Sequence, residues 1–185
     1  MNILALSVSK KVQLIKALKA ACKSSSRKLF CADASKDSPA LYFGDEFVIL
    51  PKINTKTFLS FIIDYCKSNN INSILPTSDH DMIFLITVRE KLKKHGIQIL
   101  MSESSTINKC LSKFKFAEIC VNNGLPVPTM YRCLEDIEYP CVGKLNTSQS
   151  SKGVFIINTS EALKRLLNKY DSSELIFQKY IKAQE

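Results

Sequence analysis

Through roughly its first hundred residues the chain alternates short apolar runs with segments whose apolar residues recur at helical spacing. The runs are Ile3–Ser7, Lys28–Ala32, Phe47–Leu50, Ile71–Leu75 and Ile97–Met101. Between them, Lys10–Cys22 repeats apolar residues at Val12, Ile15, Leu18 and Cys22. Thr55–Lys67 places Phe58, Phe61, Ile62, Tyr65 and Cys66 on one face. A strand that is apolar at nearly every position must be covered on both faces, and a helix between successive strands makes the right-handed crossover that a parallel pair needs. The expected fold class is α/β, a doubly wound parallel sheet with ligands held at the carboxyl ends of its strands. Local punctuation agrees. Pro51 and Pro76 end runs, Ser78 with Asp81 three residues on forms a capping box with Asp in place of Glu, and Gly96 closes the helix Asp79–Lys94.

Near residue 103 the rhythm changes. Two short helices, Glu103–Lys109 and Leu111–Asn123, lead through Gly124 into the extended segment Leu125-Pro126-Val127-Pro128. Strands follow at Thr129–Cys133, Tyr139–Leu145, Gly153–Asn158 and Leu175–Ile181, with a helix at Ser160–Lys169. Strands this close in sequence pair antiparallel, so an α+β region begins here, and the domains are placed at 1–108 and 109–185.

Composition narrows the function classes. The formal net charge of +9 admits nucleic acid as a partner, but the lysines are scattered over several helices (Lys10, Lys11, Lys16, Lys19; Lys91, Lys93, Lys94) without interleaved aromatics. That distribution fits a solvated surface better than a nucleic-acid footprint. No apolar run reaches the ~18 residues of a membrane span. The apolar start, Met1–Leu6, has no basic stretch before it, so a cytoplasmic protein is expected. The seven cysteines form no C-x-x-C pair, and His80 and His95 lie at no zinc-ligand spacing; reduced core thiols and no metal ligands are expected.

Candidate chemistry falls in the last third. Lys144 ends the run Pro140–Gly143, and a lysine at the end of a buried strand either reaches water or meets an anion. Asn146-Thr147-Ser148-Gln149-Ser150-Ser151-Lys152-Gly153 follows, a loop of mostly small residues that can turn successive N–H groups toward phosphate oxygens or serve as an ordinary hairpin. It is no Walker loop, since the G-x-x-x-x-G-K-[ST] spacing is absent and the segment leads into a strand. Gln178-Lys179-Tyr180-Ile181 closes the last strand, read as an edge strand whose backbone groups and Gln178 amide suit the edge of a nucleobase.

Together these segments resemble the ATP-grasp superfamily, and within it the proteins related to the carbamoyl-phosphate synthase large subunit. The resemblance is carried by Asp33, by Ser38-Pro39-Ala40-Leu41-Tyr42, and by Gly44-Asp45-Glu46-Phe47-Val48-Ile49-Leu50-Pro51. It continues in Ile74-Leu75-Pro76-Thr77-Ser78-Asp79-His80-Asp81, then in Ser112-Lys113-Phe114-Lys115 with Gly124-Leu125-Pro126-Val127-Pro128. It implies a pre-ATP-grasp domain followed by a partial α+β ATP-grasp lobe. By the same resemblance Lys113 and Lys144 contact ATP phosphates, and Ser150, Ser151, Lys152 and Gly153 lie in the loop that folds over them. Gln178 stands where the family often has a glutamate receiving the adenine amino group, and its amide oxygen is expected to accept there. Lys179 and Ile181 would offer backbone groups to the adenine edge, and Glu185 matches an acid near the ribose. Substrate contacts are expected at Ser7, Asp33, Thr77 and Asp79. Three departures stand out: Ser7-Val8-Ser9-Lys10 replaces a glycine-rich turn, so no dinucleotide is expected; the phosphate loop is poor in glycine; and Gln178 replaces an acid.

The implied function is that of the N-terminal portion of an ATP-dependent carboxylate–amine ligase working through an acyl phosphate, with ATP and a small carboxylate as partners. In this family the Mg2+ ligands lie in a second lobe. The chain stops at Glu185, so the expectation is of a fragment or split subunit without catalytic residues or metal ligands of its own. Further chain, a second copy or a partner subunit would supply that lobe. The alternative is a non-catalytic nucleotide-binding or interaction module of the same fold.

Overall fold

A computed structural model describes residues 2–53, 55–148 and 153–182. The chain divides into two compact units, Met1–Ser104 and Ser105–Glu185.

The first unit runs β1 (Asn2–Leu6), α1 (Val12–Ser24), β2 (Leu29–Asp33), a 3-10 turn (Pro39–Phe43), β3 (Glu46–Ile49), α2 (Phe58–Ser68), β4 (Ile71–Pro76), α3 (Asp79–Lys94) and β5 (Gln98–Ile99). The five strands lie in the order β3-β2-β1-β4-β5, and every pair is parallel. Central β1 explains its own sequence: Leu4, Ala5 and Leu6 are all fully buried because helices cover both faces. Alternate side chains point to opposite sides. Leu4, Leu6, Phe30, Ala32 and Ile74 share a core with Phe58 and Ile62 of α2 and with Leu85 and Leu92 of α3. Ala5, Leu29 and Cys31 face the other way, onto Ile15 and Cys22 of α1 and onto Ala40 and Leu41. Each large apolar side chain buried here contributes about 1.5–3 kcal/mol, so the double core fixes the carboxyl ends of the strands. The doubly wound parallel sheet is the fold the apolar runs require. The capping box is also present: Ser78 Oγ accepts from Asp81 N at 3.2 Å, and Asp81 Oδ2 accepts from Ser78 N at 3.2 Å.

The rest of the chain forms α4 (Ser104–Leu111), α5 (Lys113–Asn122), β6 (Met130–Tyr131), β7 (Cys141–Leu145), β8 (Val154–Ile157), α6 (Ser160–Leu167) and β9 (Leu175–Lys179), with 3-10 turns at Leu134–Asp136 and Ser172–Glu174. Its strands make a four-stranded sheet in the order β6-β9-β7-β8, antiparallel throughout. The last strand is therefore not an edge strand. β9 lies between β6 and β7, with Gln178 opposite both Met130 and Val142, because the segment after Pro128 returns to pair with it from far away in sequence. Several boundaries also move, and β9 ends at Lys179, short of the expected Ile181. The strand expected at Thr129–Cys133 shortens to Met130–Tyr131, and α5 starts at Lys113, where Ser112 Oγ caps it by accepting from Lys115 N at 3.3 Å.

Helix α6 covers one face of this sheet, where Cys141, Ile157, Leu175 and Phe177 share a core with Leu163 and Leu166. Gly143 lets the helix approach: a Cβ there would come within 2.9 Å of Ile157 Cδ1 and 3.2 Å of Leu166 Cδ2. Directly paired residues share a face. The opposite face therefore carries Val142, Lys144, Ile176 and Gln178, together with Val154 and Ile156, both exposed.

Candidate functional site

On that second face Lys144 donates from Nζ to Gln178 Oε1 at 2.7 Å. Gln178 is 7% exposed and is held by backbone pairing on both sides. The two side chains line a cavity of about 260 Å³ together with Lys113 and Cys110 and with apolar walls from Ala117, Val127, Pro128 and Ile176. A largely apolar cavity with a few convergent polar groups is the form of a small-molecule site.

Lys113 enters from the first residue of α5. Its Nζ donates to Leu145 O at 2.7 Å, Ser148 O at 2.6 Å and Ser148 Oγ at 3.2 Å, with Asn146 O at 3.4 Å. Those contacts hold the start of the loop that follows β7. Asn146, which sequence reasoning did not single out, completes the clamp: its Oδ1 accepts from Ser112 Oγ at 3.1 Å and Phe114 N at 3.0 Å, and its carbonyl accepts from Lys113 N at 3.0 Å. The only local signal was its place directly after the strand; its partners lie more than thirty residues upstream. Burial first, and then the nearby Lys144 ammonium, hold Lys113 below the ordinary lysine pKa. Two ammonium groups crowded together in a partly desolvated cavity are relieved by an anion, the charge a phosphate would bring.

At the far end of the loop Gly153 has φ +70°, and a Cβ would fall 2.5 Å from Leu145 Cδ1; its carbonyl accepts from Leu145 N at 2.8 Å. Gly153→Ala combines left-handed strain with overpacking and is expected to cost about 1–3 kcal/mol. Urea unfolding measures it, and an unchanged midpoint would refute the need for glycine there.

The remaining expected nucleotide contacts divide. Lys179 N–H is bonded to Thr129 O at 2.8 Å, so among its backbone groups the carbonyl is the one left to meet a base. Its ammonium lies 3.6 Å from Glu138. Ile181 follows the end of β9 and is exposed. Ser150, Ser151, Lys152 and Glu185 lie outside the described residues.

In the first unit Ser7 and Thr77 come together around Asp81. Ser7, at φ 50°, donates from Oγ to Asp81 Oδ1 at 2.7 Å, while Thr77 N and Ser78 N donate to Asp81 Oδ2 at 3.4 and 3.2 Å. Thr77 Oγ1 reaches Leu6 O at 2.7 Å and Ser7 O at 2.8 Å. The buried Asp33 carboxylate accepts from Ser9 N at 2.7 Å and Ser35 N at 3.0 Å. Asp79 stands apart, in the first turn of α3, where its charge complements the helix N-terminus. Asp81, legible from sequence only as a helix cap, organises these strand ends.

Cys22, Cys31, Cys66, Cys120 and Cys141 are buried free thiols, whereas Cys110 and Cys133 are exposed. Burial pushes the Cys31 thiol up to about 11 and that of Cys66 to about 12, which leaves both unreactive at neutral pH. Among the described residues no group of three or more His, Cys, Asp or Glu is placed to hold a metal ion, and no helix is long and apolar enough to cross a membrane.

Known proteins share this architecture. The chain superimposes on N5-carboxyaminoimidazole synthetase from Staphylococcus aureus complexed with ADP with a TM-score of 0.72 and 19% identity, covering 99% of this chain and 48% of that one. Against the biotin carboxylase domain of the Hydrogenobacter thermophilus 2-oxoglutarate carboxylase, in complex with MgADP, ADP and bicarbonate, the TM-score is 0.71 at 17% identity, over 97% of this chain and 44% of that one. N5-carboxyaminoimidazole ribonucleotide synthetase from Thermotoga maritima gives 0.65 at 21% identity, over 99% and 47%. These likenesses establish the fold, a parallel α/β unit followed by a smaller antiparallel α+β unit. In sequence, the carbamoyl phosphate synthase large chain of Saccharolobus islandicus is 28% identical over 103 residues, 49% of this chain and 10% of that protein. The chain thus spans about a tenth of the curated relatives it matches and under half of these solved chains. The family model of the PylC-like N-terminal domain matches residues 3–100, more than half of the chain, and the protein belongs to that family.

Proposed function

We propose that the antiparallel unit binds a nucleoside triphosphate, ATP in the reading carried by the family. The whole protein would be a ligase that transfers the γ-phosphoryl group to a small carboxylate. An amine or similar nucleophile would then attack the acyl phosphate and release inorganic phosphate. The observation that carries this reading is the convergence of Lys144, Lys113 and Gln178 on one cavity beside the loop that begins at Asn146. Lys144 uses one N–H on Gln178 and has two more for phosphate oxygens. Lys113 holds the loop in place and adds positive charge where phosphoryl transfer needs it. Among the described residues no group of three or more His, Cys, Asp or Glu is placed to hold a metal ion, and the family reading assigns the Mg2+ ligands to a second lobe. We place the carboxylate at the carboxyl ends of β1, β2 and β4, near Ser7, Asp33, Thr77 and Asp79. The carboxylates of Asp33 and Asp81 already accept from Ser9, Ser35 and Ser78 N–H groups, and the Ser7 and Thr77 hydroxyls donate to Asp81 and to the Leu6 and Ser7 carbonyls, so a bound carboxylate would have to draw one of these hydroxyls away from its present partner. The ADP in two of the neighbouring structures supports the nucleotide assignment.

Cys110 provides the test, because it is exposed and lines the cavity, whereas Cys133 is exposed outside it. In the native protein a thiol reagent is expected to modify these two quickly and the five buried thiols slowly. Saturating nucleotide should then slow Cys110 and leave Cys133 unchanged. Equal protection of both, or of neither, would remove the assignment of the cavity.

A further inference from the structure

We infer that the chain self-associates through the free edge of β3, two copies pairing antiparallel about a two-fold axis at Val48 and joining their parallel sheets edge to edge. β3 ends its sheet and pairs only with β2. Leu50 N donates to Asp33 O at 2.8 Å, so Leu50 and, by alternation, Val48 and Glu46 turn their backbone groups toward β2. Phe47 and Ile49 turn theirs outward. Among the described residues no hydrogen bond is made to those outward N–H and C=O groups.

The side chains at the same two positions are exposed, Phe47 at 47% and Ile49 at 39%. Both lie on the α1 side of the sheet: Phe47 is paired with Cys31 and Ile49 with Asp33, and Cys31 packs onto α1. Tyr42, more exposed still, meets the Phe47 ring edge-on at 5.1 Å between centroids. Soluble proteins ordinarily blunt such an edge with a bulge, a proline or a charge. Phe47–Ile49 carries none of these; its pairing is regular and the first proline, Pro51, lies beyond the strand. The nucleotide reading makes no use of this surface.

A second copy is the occupant that the strand itself fits. With the axis at Val48, Phe47 stands opposite the partner's Ile49, and these are the outward-facing residues, so four backbone hydrogen bonds close the ladder. Directly opposed residues share a face. The two Phe47 and two Ile49 side chains therefore form one apolar cluster, with Tyr42 of each copy beside it. Charge sets the orientation. Antiparallel pairing brings the Asp45-Glu46 end of each strand to the Lys52 end of the other, whereas a parallel partner would set like charges side by side. The contact is smaller than the ~1,000 Å² of a stable interface, so a dimer that dissociates in the micromolar range is expected.

The experiment is sedimentation velocity across micromolar concentrations on the wild type, Phe47→Lys and Ile49→Pro. The wild type is expected to pass from monomer to dimer as concentration rises. Phe47→Lys brings two ammonium groups into the apolar cluster and should leave the chain monomeric. Ile49→Pro removes an outward N–H without touching the β2 ladder, hence two bonds by symmetry, and should weaken the dimer about thirtyfold. Urea unfolding checks the fold. Phe47→Lys should keep the wild-type midpoint because the side chain is exposed, and it carries the test even where proline at position 49 costs stability. A wild type that stays monomeric overturns the inference, and so does a dimer that survives Phe47→Lys. A dimer lost in Phe47→Lys but undiminished in folded Ile49→Pro overturns the strand pairing.

Discussion

Lys144→Ala is expected to weaken nucleotide binding by about a hundredfold, a loss of ~2.7 kcal/mol, the scale of charge-assisted hydrogen bonds to a phosphate. The folded protein should keep its melting temperature within a few degrees. Both halves follow from the geometry. The ammonium sits on the face of the sheet away from the α6 core, so its removal opens no hole in that core. It also relieves the repulsion that helps hold Lys113 below its ordinary pKa, which offsets the lost bond to Gln178. The same repulsion gives binding a pH dependence. Lys113 loses its proton below the usual 10.5 in the free protein, and a bound anion favours the protonated form. Affinity should therefore fall as pH rises through that depressed value, a fall that begins below pH 10.5. Calorimetry at fixed ionic strength gives the affinity, and thermal unfolding gives the stability. Wild-type affinity in Lys144→Ala would end the phosphate assignment, and a collapse of the melting temperature would make Lys144 structural.

Asp81→Ala is expected to destabilise the protein by about 3 kcal/mol, combining a lost helix cap with donors left facing a removed charge. Asp81 is 2% exposed and accepts from Ser7 Oγ, Thr77 N and Ser78 N. These donors come from the ends of two strands and the start of a helix, so the loss would loosen the whole carboxyl edge around β1 and β4. Asp79→Ala removes only a charge at the helix N-terminus, worth about 0.3–1 kcal/mol. Urea unfolding of the two variants side by side is the measurement. Equal losses would show that Asp81 does no more than its neighbour.

The parallel unit was open to sequence reasoning because its causes are local. Fully apolar β1 and β2 state that both faces are covered, and Ser78 with Asp81 announces the start of α3 through a motif four residues long. Cysteines set at helical spacing or within strands, such as Cys22, Cys31 and Cys141, proved to be buried thiols for the same reason. The antiparallel unit was legible in its elements and less so in their order. From sequence β9 reads as an edge, because no local pattern says that β6, from the segment after Pro128, comes back to flank it.

The candidate site shows the same division. Residue type and position marked Lys144, Gln178 and the loop between them as places where an anion and a base could be met, and the family resemblance added Lys113. What each group has left to offer was decided elsewhere. Lys113 turns most of its hydrogens onto the carbonyls of Leu145 and Ser148, and Asn146 is tied to the cap of α5. Gln178, read from sequence as an acceptor for an amino group, has its oxygen engaged by Lys144. Sequence determined which chemical groups the chain carries and the secondary structure that bears them, because periodicity and caps act over a few residues. Only the tertiary structure decided which of those groups remain free for a ligand, because a hydrogen bond between residues 34 positions apart depends on strand order and register, and neither is written locally.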